Sequence, residues 1–184
     1  MPYPLTSSRL VIEPLAASDV GAFVGYRQEL EVARWQSWTL SYSESDARQL
    51  IEGQPTTELP EEGKWIQLAV RDARGGTLHG DVAVHVLAGQ PSTFEIGATL
   101  APGSQKQGVA AEAVARVLDY LFTEATAHRV VAFCDARNEP VARLLRRVGM
   151  RRESSQVEAD FFKGEWTTLD GYAVLARAWA AADR

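Results

Sequence analysis

The run Gln105-Lys106-Gln107-Gly108-Val109-Ala110 holds residue types that bind anions, and the segments on either side suit that chemistry. The alternating run Thr93-Phe94-Glu95-Ile96-Gly97-Ala98-Thr99-Leu100 reads as a strand, Ala101-Pro102-Gly103-Ser104 breaks it, and a helical pattern follows from Ala111 to Glu124. A strand, a tight loop and a helix start leave backbone N–H groups without intrahelical acceptors, with the positive end of the helix dipole behind them. Phosphate is the natural guest. Gly108 lets the backbone come close, Val109 and Ala110 keep side-chain bulk modest, and Lys106 adds a cation where phosphate oxygens would sit. A glycine at a helix start is also an ordinary turn residue, and the loop alone does not separate the two readings. The spacing is neither that of a P-loop nor a G-x-G-x-x-G dinucleotide fingerprint. His79, His85 and His128 have no metal-ligand spacing with Cys134, so no metal site is expected.

The rest of the chain must supply a frame for this loop. Arg9 to Glu13 reads as a first strand ended by Pro14, and Ser18-Asp19 offers an N-cap to an amphipathic helix carrying Val20, Phe23, Val24 and Leu30. Trp35 and Trp38 follow in a polar setting. Ser43-Glu44-Ser45-Asp46 is a capping-box start for a helix through Gln49, Leu50 and Ile51 that stops near Gly53 and Pro55. An acidic, solvated loop spans Thr56 to Gly63. Trp65 to Val70 and Thr77 to Leu87 read as strands joined by a turn at Arg74-Gly75-Gly76, and Gly89-Gln90-Pro91-Ser92 turns into the third strand already quoted. After the long helix, Arg129 to Cys134 is a short apolar run typical of a buried central strand. A helix from about Glu139 to Val148 has Pro140 in its first turn and Gly149 at its C-cap. Extended segments from Arg152 to Phe162 and Glu165 to Leu175, joined by Lys163-Gly164, complete an order β-α-α-β-β-β-α-β-α-β-β in a single domain over residues 1–184.

Composition narrows the partners. The chain has 184 residues, 46% of them hydrophobic, which suits one full-sized core. No run is long enough to span a membrane and Met1-Pro2-Tyr3-Pro4 is unlike a signal peptide, so the expected location is cytoplasmic, with no membrane partner. The lone Cys134 fits a reducing compartment and reads as a buried small hydrophobe rather than a catalytic thiol. A net charge of −5 speaks against nucleic acid as a direct partner and suits a cationic amine. A homodimer is compatible with the sequence, which does not fix the oligomeric state.

Q-x-x-G-x-A after a strand resembles the pyrophosphate-binding signature of the GNAT superfamily of N-acetyltransferases, which use acetyl-coenzyme A. Asn138-Glu139-Pro140-Val141-Ala142-Arg143-Leu144-Leu145-Arg146-Arg147-Val148-Gly149-Met150-Arg151-Arg152-Glu153 is similar to that family's N-x-x-S-x-x-L-L-E-K-L-G-F-R-x-E stretch. Glu95-Ile96-Gly97 and Ala159-Asp160-Phe161-Phe162-Lys163-Gly164-Glu165-Trp166 resemble the RimJ/RimL branch, which acetylates ribosomal-protein N-termini. The element order agrees with the GNAT fold, an α/β architecture whose mixed sheet splays at the cofactor. The chain departs from the pattern at Val141, where the family often has serine, and at Leu145, where many relatives place a tyrosine general acid. Lys106 stands where a loop glycine is common.

The resemblance implies direct attack of an amine on the thioester of acetyl-CoA in a ternary complex, with no metal. It places the cofactor phosphates on the N–H groups of Gln105, Lys106, Gln107, Gly108, Val109 and Ala110, and the thioester oxygen on main-chain donors around Ile96, Ala98 and Leu100, each worth about 3 kcal/mol in the transition state. Asn138 falls near the pantetheine arm. Arg143, Arg146 and Arg147 either reach an adenosine phosphate or form a solvated basic face. Asp160 is the first candidate base, with Glu95 and then Glu158 behind it, and each also reads as an exposed strand carboxylate. Trp35 and Trp38 fall in the segment that caps the acceptor pocket, where they stack on substrate or serve as core or lid packing. At pH 7 an α-amine is roughly one-seventh neutral, a lysine amine only about 1 part in 2,500. A site without the usual serine and tyrosine suits the easier nucleophile, so the expected acceptor is a protein N-terminus or a low-pKa small-molecule amine. Val141 and Leu145 also leave open a non-catalytic acyl-CoA-binding module.

Overall fold

The computed structural model describes residues 3–74 and 76–182, so Met1, Pro2, Asp183, Arg184 and Gly75 of the expected turn lie outside the described residues. The N-terminal part runs β1 (Leu5–Thr6), β2 (Leu10–Pro14), α1 (Val20–Arg27), α2 (Leu30–Ala33) and α3 (Glu44–Glu52). The middle is β3 (Trp65–Asp72), β4 (Leu78–Val86), β5 (Thr93–Leu100) and α4 (Val109–Thr123). The chain continues through β6 (Arg129–Asp135), α5 (Glu139–Arg147), β7 (Arg151–Phe162), β8 (Glu165–Leu175) and α6 (Ala176–Ala180). The strands form one mixed sheet in the order β1-β2-β3-β4-β5-β6-β8-β7, antiparallel except where β5 meets β6. Among the described residues no helix is long and apolar enough to cross a membrane.

Alternation along the strands sorts the core into two faces. Ile66, Leu68, Val70, Val82, Val84, Phe94 and Ile96 join one cluster with Val114, Val117, Leu118 and Leu121 of α4, whose apolar positions recur at the helical period. Each such buried aliphatic side chain contributes roughly 1.5–3 kcal/mol. The opposite face is covered by α1, α2 and α3 through Val20, Phe23, Val24, Val32 and Ala47, packed with Ala69. Gly80 is where β4 crowds the end of β5: its φ is 155°, and a Cβ there would stand 2.1 Å from Thr99 O. That close approach fixes Thr99 and Leu100.

Most expected elements are present, and β5 has the expected bounds. The Ser43 capping box forms, with Asp46 N donating to Ser43 Oγ (3.2 Å) and Ser43 N to Asp46 Oδ2 (2.8 Å). Leu30 is not in the first helix. Glu29 is extended (ψ 128°), so Leu30 opens the separate short α2 and is 63% exposed. Asp19 makes no N-cap bond with its side chain. Its carboxylate instead accepts from Ala16 N (2.8 Å) and Arg71 Nη2 (2.5 Å). β1 and α6, at two and five residues, are too short to leave a period in the sequence.

Candidate active site

The loop before α4 is shaped by its own side chains. Gln105 Nε2 donates to Leu100 O (3.2 Å) and Gln107 Nε2 to Gly103 O (2.7 Å), folding the loop back on the end of β5. Lys106 (φ 61°) and Gly108 (φ 80°) both take left-handed backbone. That conformation is free for glycine and costs about 1 kcal/mol for lysine, which explains why glycine suits position 106. The first helical bond runs from Glu112 N to Gly108 O (3.0 Å), so the N–H groups of Val109, Ala110 and Ala111 precede the ladder and point out of the helix end. Glu112 accepts from Ser7 Oγ (2.7 Å), Arg9 N (3.0 Å) and Arg9 Nε (2.7 Å). Burial would raise its carboxyl, but the bonds from Ser7 and Arg9 outweigh this and hold it below the usual range. The one acid of the first turn is thereby paired and does not oppose an anion at the helix start.

β5 and β6 pair only at Thr93, Phe94 and Glu95, opposite Arg129, Val130 and Val131. Beyond Glu95 the strands part, although β5 continues to Leu100 and β6 to Asp135. Thr93 O accepts from Leu87 N on the β4 side, and Leu100 O faces the loop, where it meets Gln105. Backbone polarity alternates along a strand, so Ile96, Ala98 and Leu100 turn their N–H and C=O groups toward the gap.

The gap is part of a larger cleft. A hollow of about 120 Å³ lies between Ile96-Gly97-Ala98 and Ala132 to Asp135, backed by Val114 and Leu145. A cleft of about 330 Å³ adjoins it, running from Gln105, Lys106 and Ala110 past Leu100 to Pro140, Arg143 and Glu31. Trp35, Gln36, Ala98, Asn138, Val141 and Leu144 border both. The result is a passage with the loop and the start of α4 at its mouth, a run of unpaired strand backbone along its wall, and Trp35 and Gln36 bordering both of its parts.

Comparison with known proteins agrees with this geometry. The family model described as an acetyltransferase (GNAT) domain matches residues 9–151. This chain belongs to the GNAT acetyltransferase family. As a GNAT protein it is an acetyl-CoA-dependent acyltransferase. It is 29% identical over 184 residues to the uncharacterized N-acetyltransferase YnaD of Bacillus subtilis, covering 95% of this chain and 98% of that protein. A GNAT-family acetyltransferase structure from Bacillus anthracis is 26% identical, with a TM-score of 0.84, 94% of this chain and 98% of that chain covered. The fold is also shared with spermidine N-acetyltransferase from Vibrio cholerae, solved with CoA and spermine (20% identity, TM-score 0.81, 95% and 99% covered).

Of the residues expected at the GNAT donor site, Ile96, Ala98, Leu100, Gln105, Lys106, Ala110, Asn138 and Arg143 border the cleft. Gln107, Gly108 and Val109 do not line it with side chains: Gln107 braces the loop, Gly108 starts the helix and Val109 is buried in the core. Asn138 is 6% exposed and its Oδ1 accepts from Val141 N (3.4 Å), capping α5. Arg143 faces Glu139 (3.6 Å), while Arg146 and Arg147 are exposed on the last turn.

The acceptor-side expectations divide. Trp35 borders the cleft, but Trp38 turns away into the helical layer, its Nε1 donating to Arg27 O (3.1 Å) and its ring stacked on the Arg27 guanidinium (3.7 Å). Glu95 stands on the cleft-wall strand, its Oε2 3.4 Å from His85 Nδ1, on the same face as Gly97. Asp160 sits on β7, half-buried, opposite Thr167, and borders neither part of the cleft. Glu158 (φ 49°) lies in the adjoining register shift of β7. Gln36 is a bordering residue that sequence reasoning missed, since a lone glutamine between two tryptophans carries no periodic or spacing signal. Cys134 borders the inner hollow, and burial, with Asp170 and Asp135 nearby, pushes its thiol up to about 11.

Proposed function

We propose that this protein transfers the acetyl group of acetyl-CoA to a primary amine by direct attack, and that its acceptor is a protein N-terminal α-amine or a small-molecule amine of similarly low pKa. The observation that carries the reading is the continuity of the cleft from the Gln105–Ala110 loop, along the unpaired edge of β5, to Trp35 and Gln36. The loop holds the phosphates of the donor with backbone N–H groups and Lys106. The edge of β5 at Ile96, Ala98 and Leu100 donates to the thioester oxygen as negative charge develops there. The amine nitrogen bonds to the carbonyl carbon, the C–S bond breaks with its electron pair staying on sulfur, and a carboxylate removes the nitrogen's proton.

For that base we favour Glu95 over Asp160: neither side chain borders the cleft, but Glu95 stands on the strand that forms its wall, two residues from Gly97, which borders the inner hollow. With saturating acetyl-CoA, Glu95→Gln should lower turnover by about 100-fold and Asp160→Asn by less than about threefold. The reverse pattern would return the role to Asp160. The resemblance of the hairpin sequence Ala159 to Trp166 supports the RimJ/RimL branch. Thiol release from acetyl-CoA with a free-N-terminus peptide, its blocked internal-lysine twin and spermidine tests the acceptor, and the free N-terminus should react fastest. Faster reaction of the lysine peptide would refute the α-amine reading. Apolar Val141 and Leu145 at the inner cleft favour one other reading, an acyl-CoA sensor, which tight calorimetric binding without turnover on any amine would support.

A further inference from the structure

Residues 34–37 form a short loop that carries Trp35 and Gln36 to the cleft, and local turn bonds close its first half: Arg34 N donates to Leu30 O (3.0 Å), Trp35 N to Val32 O (3.4 Å) and Gln36 N to Ala33 O (3.0 Å). Both of its ends are held by one distant side chain. Lys163 Nζ donates to Ala33 O (2.6 Å) and to Trp38 O (2.7 Å), reaching back across the fold from the tip of the β7–β8 hairpin. Ala33 is the last residue of α2, and its carbonyl accepts from Gln36 N (3.0 Å) as well as from Lys163, using the second lone pair that a helix-end carbonyl has free. Lys163 (φ 50°) and Gly164 (φ 90°) both take left-handed backbone in the hairpin turn, a geometry that suits a two-residue connection. The core side of the loop is fixed separately, by Trp38 on Arg27. Between these two attachments, Trp35 and Gln36 are the side chains left facing the cleft.

We propose that Lys163 is a positioning residue for the acceptor end: it latches the Trp35-bearing loop from the hairpin side and sets where an incoming amine meets the thioester. This rests on the reading of that end as the acceptor site. Lys163 borders no part of the cleft and touches no donor-loop residue, so its loss acts through the loop alone. In Lys163→Met, the KM for the amine should rise about tenfold while the KM for acetyl-CoA stays within about twofold, as expected when one partner's orientation is lost and the other's is kept. Lys163→Arg, which keeps the cation but not the compact ammonium, should recover part of the loss. Hydrogen exchange on the full-length protein supplies a readout independent of turnover: amides of residues 34–38 should lose protection in Lys163→Met, while those of α4 do not change. Unchanged exchange at 34–38, or equal rises in both KM values, would overturn the latch. Absence of turnover on every amine with the exchange difference present would instead overturn the acceptor reading and leave the latch standing.

Discussion

The end of the cleft we assign to the donor is made largely of backbone held by near neighbours in sequence, whereas the end we assign to the acceptor is backed by side chains of distant stretches. At the donor end, Gln105 and Gln107 brace carbonyls five and four residues away, and Gly108 sets the helix start. In the helical layer behind the acceptor end, Arg27 lies 3.7 Å over Trp38 and 3.9 Å from Asp81, and Lys163 spans more than a hundred residues to reach the Trp35 loop. Backbone sites tolerate substitution of side chains but are sensitive to helix-end charge. Side-chain sites fail when one member is removed.

The sharpest way to break this contrast is at Arg27. Asp81 is 2% exposed and accepts from Tyr26 Oη at 2.5 Å. Burial pushes its carboxyl above the usual range, against the pull of Arg27 and the Tyr26 bond. Arg27→Met should leave a buried carboxylate without its cation and cost about 3–5 kcal/mol in denaturant unfolding, with much of that recovered in Arg27→Met/Asp81→Asn. A cost below about 1 kcal/mol would mean that the acceptor layer does not depend on this pair.

Ala110→Glu puts the same question to the donor end. A carboxylate in the first turn of α4 favours the helix by about 0.3–1 kcal/mol but repels an anion at its N-terminus. Unfolding stability should hold or rise while CoA binding by calorimetry weakens at least about 100-fold, or about 2.7 kcal/mol. Affinity within tenfold of the parent would show that the phosphates do not rest there. A smaller effect is expected at Lys106. Lys106→Gly removes left-handed strain at some cost in unfolded-state entropy, for a net gain of roughly 0.5 kcal/mol, and should weaken CoA binding about threefold through loss of one exposed charge.

The same contrast explains what could be read from sequence. The bounds of β5, the glycine at the start of α4 and the Ser43 capping box depend on residues within a few positions, and sequence displays such dependence directly. For Trp35 and Trp38 the sequence left substrate stacking and core or lid packing open, and it could not divide the two, because what turns Trp38 inward is Arg27, buried beside Asp81 in the sheet. Gln36 has no local signature, and Lys163 was legible only as a turn residue of the last hairpin. Their roles come from the hairpin folding back over α2, a contact that only the completed sheet creates.

The smallest effect should come from Cys134, and it tests whether the inner cleft hides a proton donor beside the apolar Leu145. The thiol borders the hollow and, pushed up to about 11, stays protonated through the working range. At pH 8 only about one molecule in a thousand would carry the thiolate, so alkylation by a small haloacetamide should be slow compared with free cysteine. A protonated thiol could hand its proton to the departing sulfur. However, a CoA thiolate is stable enough in water to leave without one, so the demand for an acid is weak. Cys134→Ala should therefore keep turnover within about threefold, with no new limb in the pH profile. A loss of tenfold or more, restored in Cys134→Ser, would make this side chain the missing acid and move part of the chemistry from backbone to side chain at the donor end as well.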